Sequence, residues 1–234
     1  MNNKLKFKHS GKMGDIIWSL AYVEFMGGGT LYLNVNGTHG FTLENYNFMK
    51  PLLEKQPYIN EVKLWNGESV DYDLDNFRYV MNKTWKGSAA GSYFNVFGVP
   101  LLGIDIETKP WLYVDYVPND NIIISRSPSL MNRSETNPFW ENLIRNNPNR
   151  KFLFVGLQSE CDTFNAKHNC NIPYHPVQDA LELAVLINGS YLWTGNHSMP
   201  AVIAEATKRT LFLEVRGDVG SIDHYFDRPN MFII

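Results

Sequence analysis

The feature that most constrains this chain is the alternation of short apolar runs with amphipathic stretches between residues 122 and 215. Residues 122–125, 151–155, 191–194 and 210–215 read as strands; 138–146, 159–168, 179–187 and 199–207 read as helices. Ile122-Ile123-Ile124 shows no polar alternation, which marks a strand covered on both faces. Repetition of this kind builds a parallel sheet flanked by helices.

The first half follows the same logic less cleanly. Residues 4–9 alternate as a strand. Residues 15–26 have helical spacing with Ile16, Leu20 and Val23 inward, and Gly27-Gly28-Gly29 ends that helix. A strand follows over 30–35. A helix is expected over 47–55, with Pro51 tolerated only near its start or at a kink. Residues 56–62 lead into another strand. Residues 71–78 read as a polar, aromatic link, and helical spacing returns near 88–97. The strongest boundary is 115–121, which carries Pro118. The expectation is an α/β protein of compact build: two Rossmann-like lobes, residues 1–117 and 118–234, each with a parallel sheet and with a cleft between them. Ligands of such sheets sit beyond the carboxyl ends of the strands.

Composition excludes several classes. With 234 residues and 44% hydrophobic content, the chain can bury one large core or two small ones. A net charge of −3 argues against a broadly basic surface for nucleic acid. No stretch approaches the roughly 20 apolar residues of a membrane span, and residues 1–9 lack the apolar core of a signal peptide. Two cysteines, Cys161 and Cys170, make neither a disulfide framework nor a zinc pattern, so a reducing cytoplasm is expected.

Two loop-to-helix corners carry the chemistry. In Lys12-Met13-Gly14-Asp15, Asp15 stands at a helix start. It can cap free N–H groups there, or serve as a general base toward a hydroxyl; Gly14 would let backbone approach a ligand. In Gly195-Asn196-His197-Ser198-Met199-Pro200, a strand gives way to a helix of small residues, whose free N–H groups and Ser198 hydroxyl suit a pyrophosphate; an ordinary cap is the plainer reading. Ser125-Arg126-Ser127 and Arg133 offer hydroxyls and guanidinium groups at a strand end. Gln158 and Glu160 follow another strand and could meet a ribose, although a first-turn acid explains Glu160 equally. Neither the glycine fingerprint of a nicotinamide site nor a Walker lysine is present. The histidines form no ligand spacing. Asp71, Asp73 and Asp75 lack the Gly and Glu that complete a calcium loop and read as a solvated linker. Trp85, Tyr93 and Phe94, near Lys83 and Lys86, read as core or as a stacking surface.

These residues resemble a known family. Met13-Gly14-Asp15-Ile16-Ile17-Trp18-Ser19-Leu20 is similar to the N-terminal Gly-Asp motif of the ADP-heptose:lipopolysaccharide heptosyltransferases, glycosyltransferase family 9. Residues 182–215 resemble the family's C-terminal donor corner, and 122–140 and 152–160 fit its pattern of polar strand ends. The resemblance implies a GT-B fold and an inverting, metal-independent transfer from a nucleotide-sugar donor, with no cofactor. It implies Asp15 as base. Ser125, Ser127 and Arg133 would lie on the donor phosphates, with Asn196, His197, Ser198 and Met199 around the donor and Gln158 or Glu160 on the ribose. His197 stands where the family usually has an acid, and Met199-Pro200 replaces a Gly-containing pair, so heptose and lipopolysaccharide do not carry over. The acceptor is left as a glycan, a protein or modified DNA. The alternatives are a catalytically silent nucleotide- or nucleotide-sugar-binding protein and a glycosyltransferase acting on hydroxymethylated bases of viral DNA.

Overall fold

The computed structural model describes residues 4–81, 88–127, 138–215 and 225–234. In the first lobe the chain runs β1 (Leu5–His9), α1 (Met13–Phe25), β2 (Gly29–Leu33), α2 (Leu43–Glu54), β3 (Ile59–Leu64) and β4 (Tyr72–Asp73). A 3-10 turn (Leu74–Asn76), α3 (Phe77–Met81) and α4 (Ala89–Val96) complete it. Its four strands are all parallel, in the order β3-β2-β1-β4. The second lobe contains β5 (Ile122–Ser125), α5 (Phe139–Asn146), β6 (Phe152–Phe154), α6 (Gln158–His168) and α7 (Ala180–Gly189). It ends with β7 (Leu192–Asn196), α8 (Met199–Ala206), β8 (Leu211–Glu214) and β9 (Met231–Ile233). Its strands are parallel too, ordered β6-β5-β7-β8-β9. Both sheets therefore need covered faces, and both have them. The three isoleucines of β5 are fully buried, as their unbroken apolar run predicts.

The lobes are joined by more than the segment 115–121. Helix α1 buries every residue from Ile16 to Val23, because its own sheet and α4 pack around it while α8 lies across it from the other lobe. Gly14 sits at that crossing: a Cβ there would lie 3.3 Å from the Val202 side chain. Helix α2 meets α7 in the same way, and one apolar core runs from Phe7 through α1 into Ala201–Ala204 and Leu213. Trp111 stitches the join: its indole N–H donates to Ile17 O at 3.1 Å, and its backbone N–H donates to Ala206 O at 3.0 Å. Among the described residues no helix is long and apolar enough to cross a membrane.

Several elements differ from the sequence expectation. Helix α2 starts four residues before the expected 47, because Thr42 caps it and exchanges hydrogen bonds with Asn45; Pro51 then falls inside the helix. Residues 71–78 are not a solvated link. They contribute an edge strand paired to β1, the 3-10 turn and the start of α3. Strand β7 extends through Gly195 and Asn196, which were expected in the loop. The three-residue edge strand β9 has no sequence counterpart above.

Candidate active site

The loop from β1 to α1 is held by a set of partly buried polar contacts. Asp75, in the 3-10 turn after β4, accepts from Ser10 N at 3.0 Å and from Ser10 Oγ at 2.6 Å. Lys8 reaches Asp73 at 3.0 Å and Asp75 at 3.1 Å. His9 is fully buried, and its Nδ1 accepts from Gly11 N at 2.8 Å. Burial pushes the His9 imidazole below its usual range. Gly11 has no room for a side chain: a Cβ would lie 2.5 Å from His9 Cε1 and 2.6 Å from an Arg78 guanidinium nitrogen. The expected solvated linker is thus the floor of this loop; short parallel pairing of β4 with β1 brings the acids beneath it.

Asp15 occupies the third position of α1. Its Oδ2 accepts from Lys12 N at 3.3 Å, a weak cap, and from Arg78 Nη2 at 2.8 Å. Both side chains are about one-third exposed. Among the described residues Oδ1 accepts no hydrogen bond. Asp15 therefore does the capping work expected of an acid there, and still presents a carboxylate oxygen.

From the second lobe the start of α8 faces this loop. Ser198 is the N-cap by position, but its hydroxyl donates to Asn196 O at 3.0 Å and caps nothing in the first turn. Asn196 is fully buried. Its side chain clamps the Ser127 backbone, accepting from N at 3.0 Å and donating to O at 2.5 Å. His197 Nδ1 lies 2.8 Å from Tyr225 Oη.

These parts enclose a cleft of about 650 Å³ between the lobes. Lys12, Gly14, Asp15, Trp18, Thr38, His39 and Arg78 line it from the first lobe, and Ser127, His197, Ser198, Met199 and Val202 from the second. Six of the expected site residues thus share one space: Gly14, Asp15, Ser127, His197, Ser198 and Met199. Asn196 stands behind them as a brace.

The others are placed elsewhere. Ser125 is buried at the end of β5, and its Oγ has no partner among the described residues. Arg126 faces away from the cleft lining. It makes a bidentate pair with Glu214, both bonds 2.7 Å, and lies over the Trp140 ring. Gly195 serves sheet packing, since a Cβ would come 1.8 Å from Ser125 O. Gln158 donates to Asp162 at 2.8 Å, and Glu160 caps its own helix through Leu157 N at 3.0 Å, the plainer of its two readings. Neither lines the cleft. Tyr93 and Phe94 are core, with no exposure. Arg133, Lys83, Trp85 and Lys86 lie outside the described residues. Sequence reasoning missed Lys12, Trp18, Thr38, His39 and Arg78 in the cleft, and Asp75 and Gly11 beneath it. The triplet of alternating acids just ahead of Arg78 was the available signal. Among the described residues no three His, Cys, Asp or Glu side chains converge as a metal site would require.

No protein-family model and no curated protein matches the chain. Solved structures do. The glycosyl transferase family 9 protein from Veillonella parvula DSM 2008 superposes with a TM-score of 0.65 at 11% identity, covering 99% of this chain and 86% of that one. The E. coli heptosyltransferase WaaC with ADP gives 0.67 at 7% identity, over 97% and 92%. E. coli ADP-heptose LPS heptosyltransferase II gives 0.57 at 10%, over 99% and 90%. At such identities the shared property is the architecture, and this chain has the two-lobed, GT-B-like fold of the family 9 glycosyltransferases.

Proposed function

We propose that this chain is an inverting, metal-independent glycosyltransferase that takes a nucleotide-sugar donor in the interlobe cleft. The observation that carries the reading is the meeting of Asp15, from one lobe, with the open first turn of α8, from the other, in the same space. An acceptor hydroxyl bonded to Asp15 Oδ1 would give its proton to the carboxylate as its oxygen attacks the anomeric carbon. The bond from that carbon to the diphosphate breaks, and the electron pair leaves with the phosphate. The Met199 and Ala201 N–H groups at the positive end of α8 and the Lys12 ammonium can meet that charge, and the Ser198 hydroxyl can join them by turning its hydrogen away from Asn196 O. Pro200, lacking an N–H, costs the helix start one donor. Arg133 is proposed on the same phosphates.

WaaC is solved with ADP and with ADP-2-deoxy-2-fluoro heptose, and TibC in complex with ADP-D-beta-D-heptose. This supports ADP-sugars as the first donors to test. Unpaired Cys161 and Cys170 support a reducing, cytoplasmic setting. A second reading, a catalytically silent nucleotide-sugar-binding protein, draws on the Arg78 pair and cap that occupy Asp15 Oδ2.

The test is thermal stabilisation across nucleoside diphosphates and nucleotide sugars, followed by turnover of Asp15→Asn. A bound donor raises the melting temperature by linkage. Asp15→Asn is expected to keep donor affinity within about twofold and to cut transfer by about 100-fold or more. No response to any nucleotide would sink the reading; a response with no transfer by the wild-type protein would favour the silent binder.

A further inference from the structure

Behind Asp15 runs a chain of hydrogen bonds that the proposed reaction does not use directly. Tyr93 Oη, on α4, lies 2.8 Å from Asp15 O and 2.9 Å from His9 Nε2. His9 Nδ1 is already occupied as an acceptor by Gly11 N. Asp75 Oδ1 also lies 3.3 Å from Nδ1, but the shorter Gly11 contact and the donation of the Tyr93 hydroxyl proton to the Asp15 carbonyl together assign the ring proton to Nε2, from which it is donated to Tyr93 Oη. The order of donors is then Gly11 N–H to His9, His9 to Tyr93, and Tyr93 to Asp15.

Both side chains have no exposure. Burial pushes the Tyr93 hydroxyl well above its usual range, which keeps it a donor, and keeps His9 neutral. The surroundings fit a held geometry. The Tyr93 ring stacks on Phe77, with centroids 4.5 Å apart, and the Phe77 ring supports the Arg78 guanidinium at 4.6 Å. Arg78 in turn fixes Asp15 Oδ2. Asp15 is thus gripped at its backbone by Tyr93 and at its carboxylate by Arg78, and the two grips are coupled through Phe77. Gly11 closes the arrangement, because no larger residue fits among His9, Arg78 and Asp15.

We infer that Tyr93 and His9 are positioning residues that set the Asp15 carboxylate against the acceptor hydroxyl, acting through the backbone of the first turn of α1. The inference rests on the glycosyltransferase reading above. Misplacement of a reacting group by a fraction of an ångström lowers a rate without weakening ground-state binding. Tyr93→Phe removes one oxygen and keeps the ring that stacks on Phe77, leaving the buried His9 Nε2–H without its acceptor, so the melting temperature of the variant is measured beside its kinetics.

The experiment is initial-rate kinetics on wild type, Tyr93→Phe, Asp15→Asn and the double variant, using the nucleotide sugar that thermal stabilisation selects. Tyr93→Phe is expected to lower kcat about tenfold with the donor KM within twofold. In the Asp15→Asn background the same change should cost almost nothing further, since residues that act through one group are not additive. Nitrogen-15 NMR of the histidines should show His9 as the neutral Nε2–H tautomer. An unchanged kcat in Tyr93→Phe, an undiminished tenfold loss on top of Asp15→Asn, or an Nδ1–H tautomer would each overturn the positioning role alone. Absence of transfer by the wild type, or full turnover by Asp15→Asn, would overturn the reading on which it rests.

Discussion

Lys208 offers a sharp test of how the lobes are seated. It follows α8 with a positive φ of 58°, and its Nζ donates to Glu205 at 2.8 Å and to Ile106 O at 3.0 Å. The ammonium lies 4.3 Å from the Trp111 ring centre and 4.9 Å from that of Phe226. Glu205 is itself fully buried and also binds Arg228 at 2.9 Å. Burial lowers Lys208 from 10.5 to about 8, against the pull of Glu205. Each tenfold change in proton affinity is about 1.4 kcal/mol, so the charged form costs folding about 3 kcal/mol below pH 8. The sign follows from proton counting. Between about pH 8 and 10.5 the unfolded chain keeps a proton that the folded one has released, so stability rises with pH through that window. Integrated from pH 7 to 9, the gain is about 1 kcal/mol. Cys161 and Cys170, pushed up by burial, act in the opposite sense at the top of this range. The informative quantity is therefore a difference. Urea unfolding of wild type and Lys208→Met at pH 7, 8 and 9 should show the wild type gaining about 1 kcal/mol on the variant. Methionine keeps the apolar stem among the rings but does not titrate. Parallel pH profiles for the two proteins would refute the reasoning and place the Lys208 ammonium in water.

Two glycines give further tests. Gly195→Ala would drive a Cβ to 1.8 Å from Ser125 O across the β5–β7 pairing. The expected loss is about 3 kcal/mol or more in urea unfolding, since backbone on a central strand cannot yield as a side chain does; a midpoint within error of wild type would show that Gly195 is not packing-limited. Gly11→Ala must displace buried His9 or swing Arg78 away from Asp15. Transfer is expected to fall at least about tenfold while stability drops by only about 1–2 kcal/mol. Full turnover in that variant would mean that the Arg78–Asp15 contact does not matter to the reaction.

The legible part of the fold was the part written in periodicity. The isoleucine run of β5, the amphipathic stretches that became α5 to α8, and the glycines closing α1 follow from local sequence, because side-chain spacing reports which faces are covered. The elements that were misread depend on partners distant in the chain. Residues 71–75 look like a solvated acidic link until β4 is paired with β1; then Asp73 and Asp75 meet Lys8 and Ser10, about 65 residues away in sequence. Asn196 looks like a loop residue until Ser127 is placed across from it.

For the site, the sequence by itself determined the two corners: an acid in the first turn of α1, and a small-residue helix start after β7. Both are local patterns, since capping chemistry and turn residues act over a few positions. Only the tertiary structure decided which neighbours serve the cleft. The sequence singles out Arg126, at a strand end, and gives no local reason to single out Arg78. Arg126 is spent on Glu214 in the interior, whereas Arg78 lies on Asp15 at the cleft wall. The difference arises because strand order, not sequence distance, sets which carboxylate each arginine meets. A buried charge takes the partner that packing brings within reach.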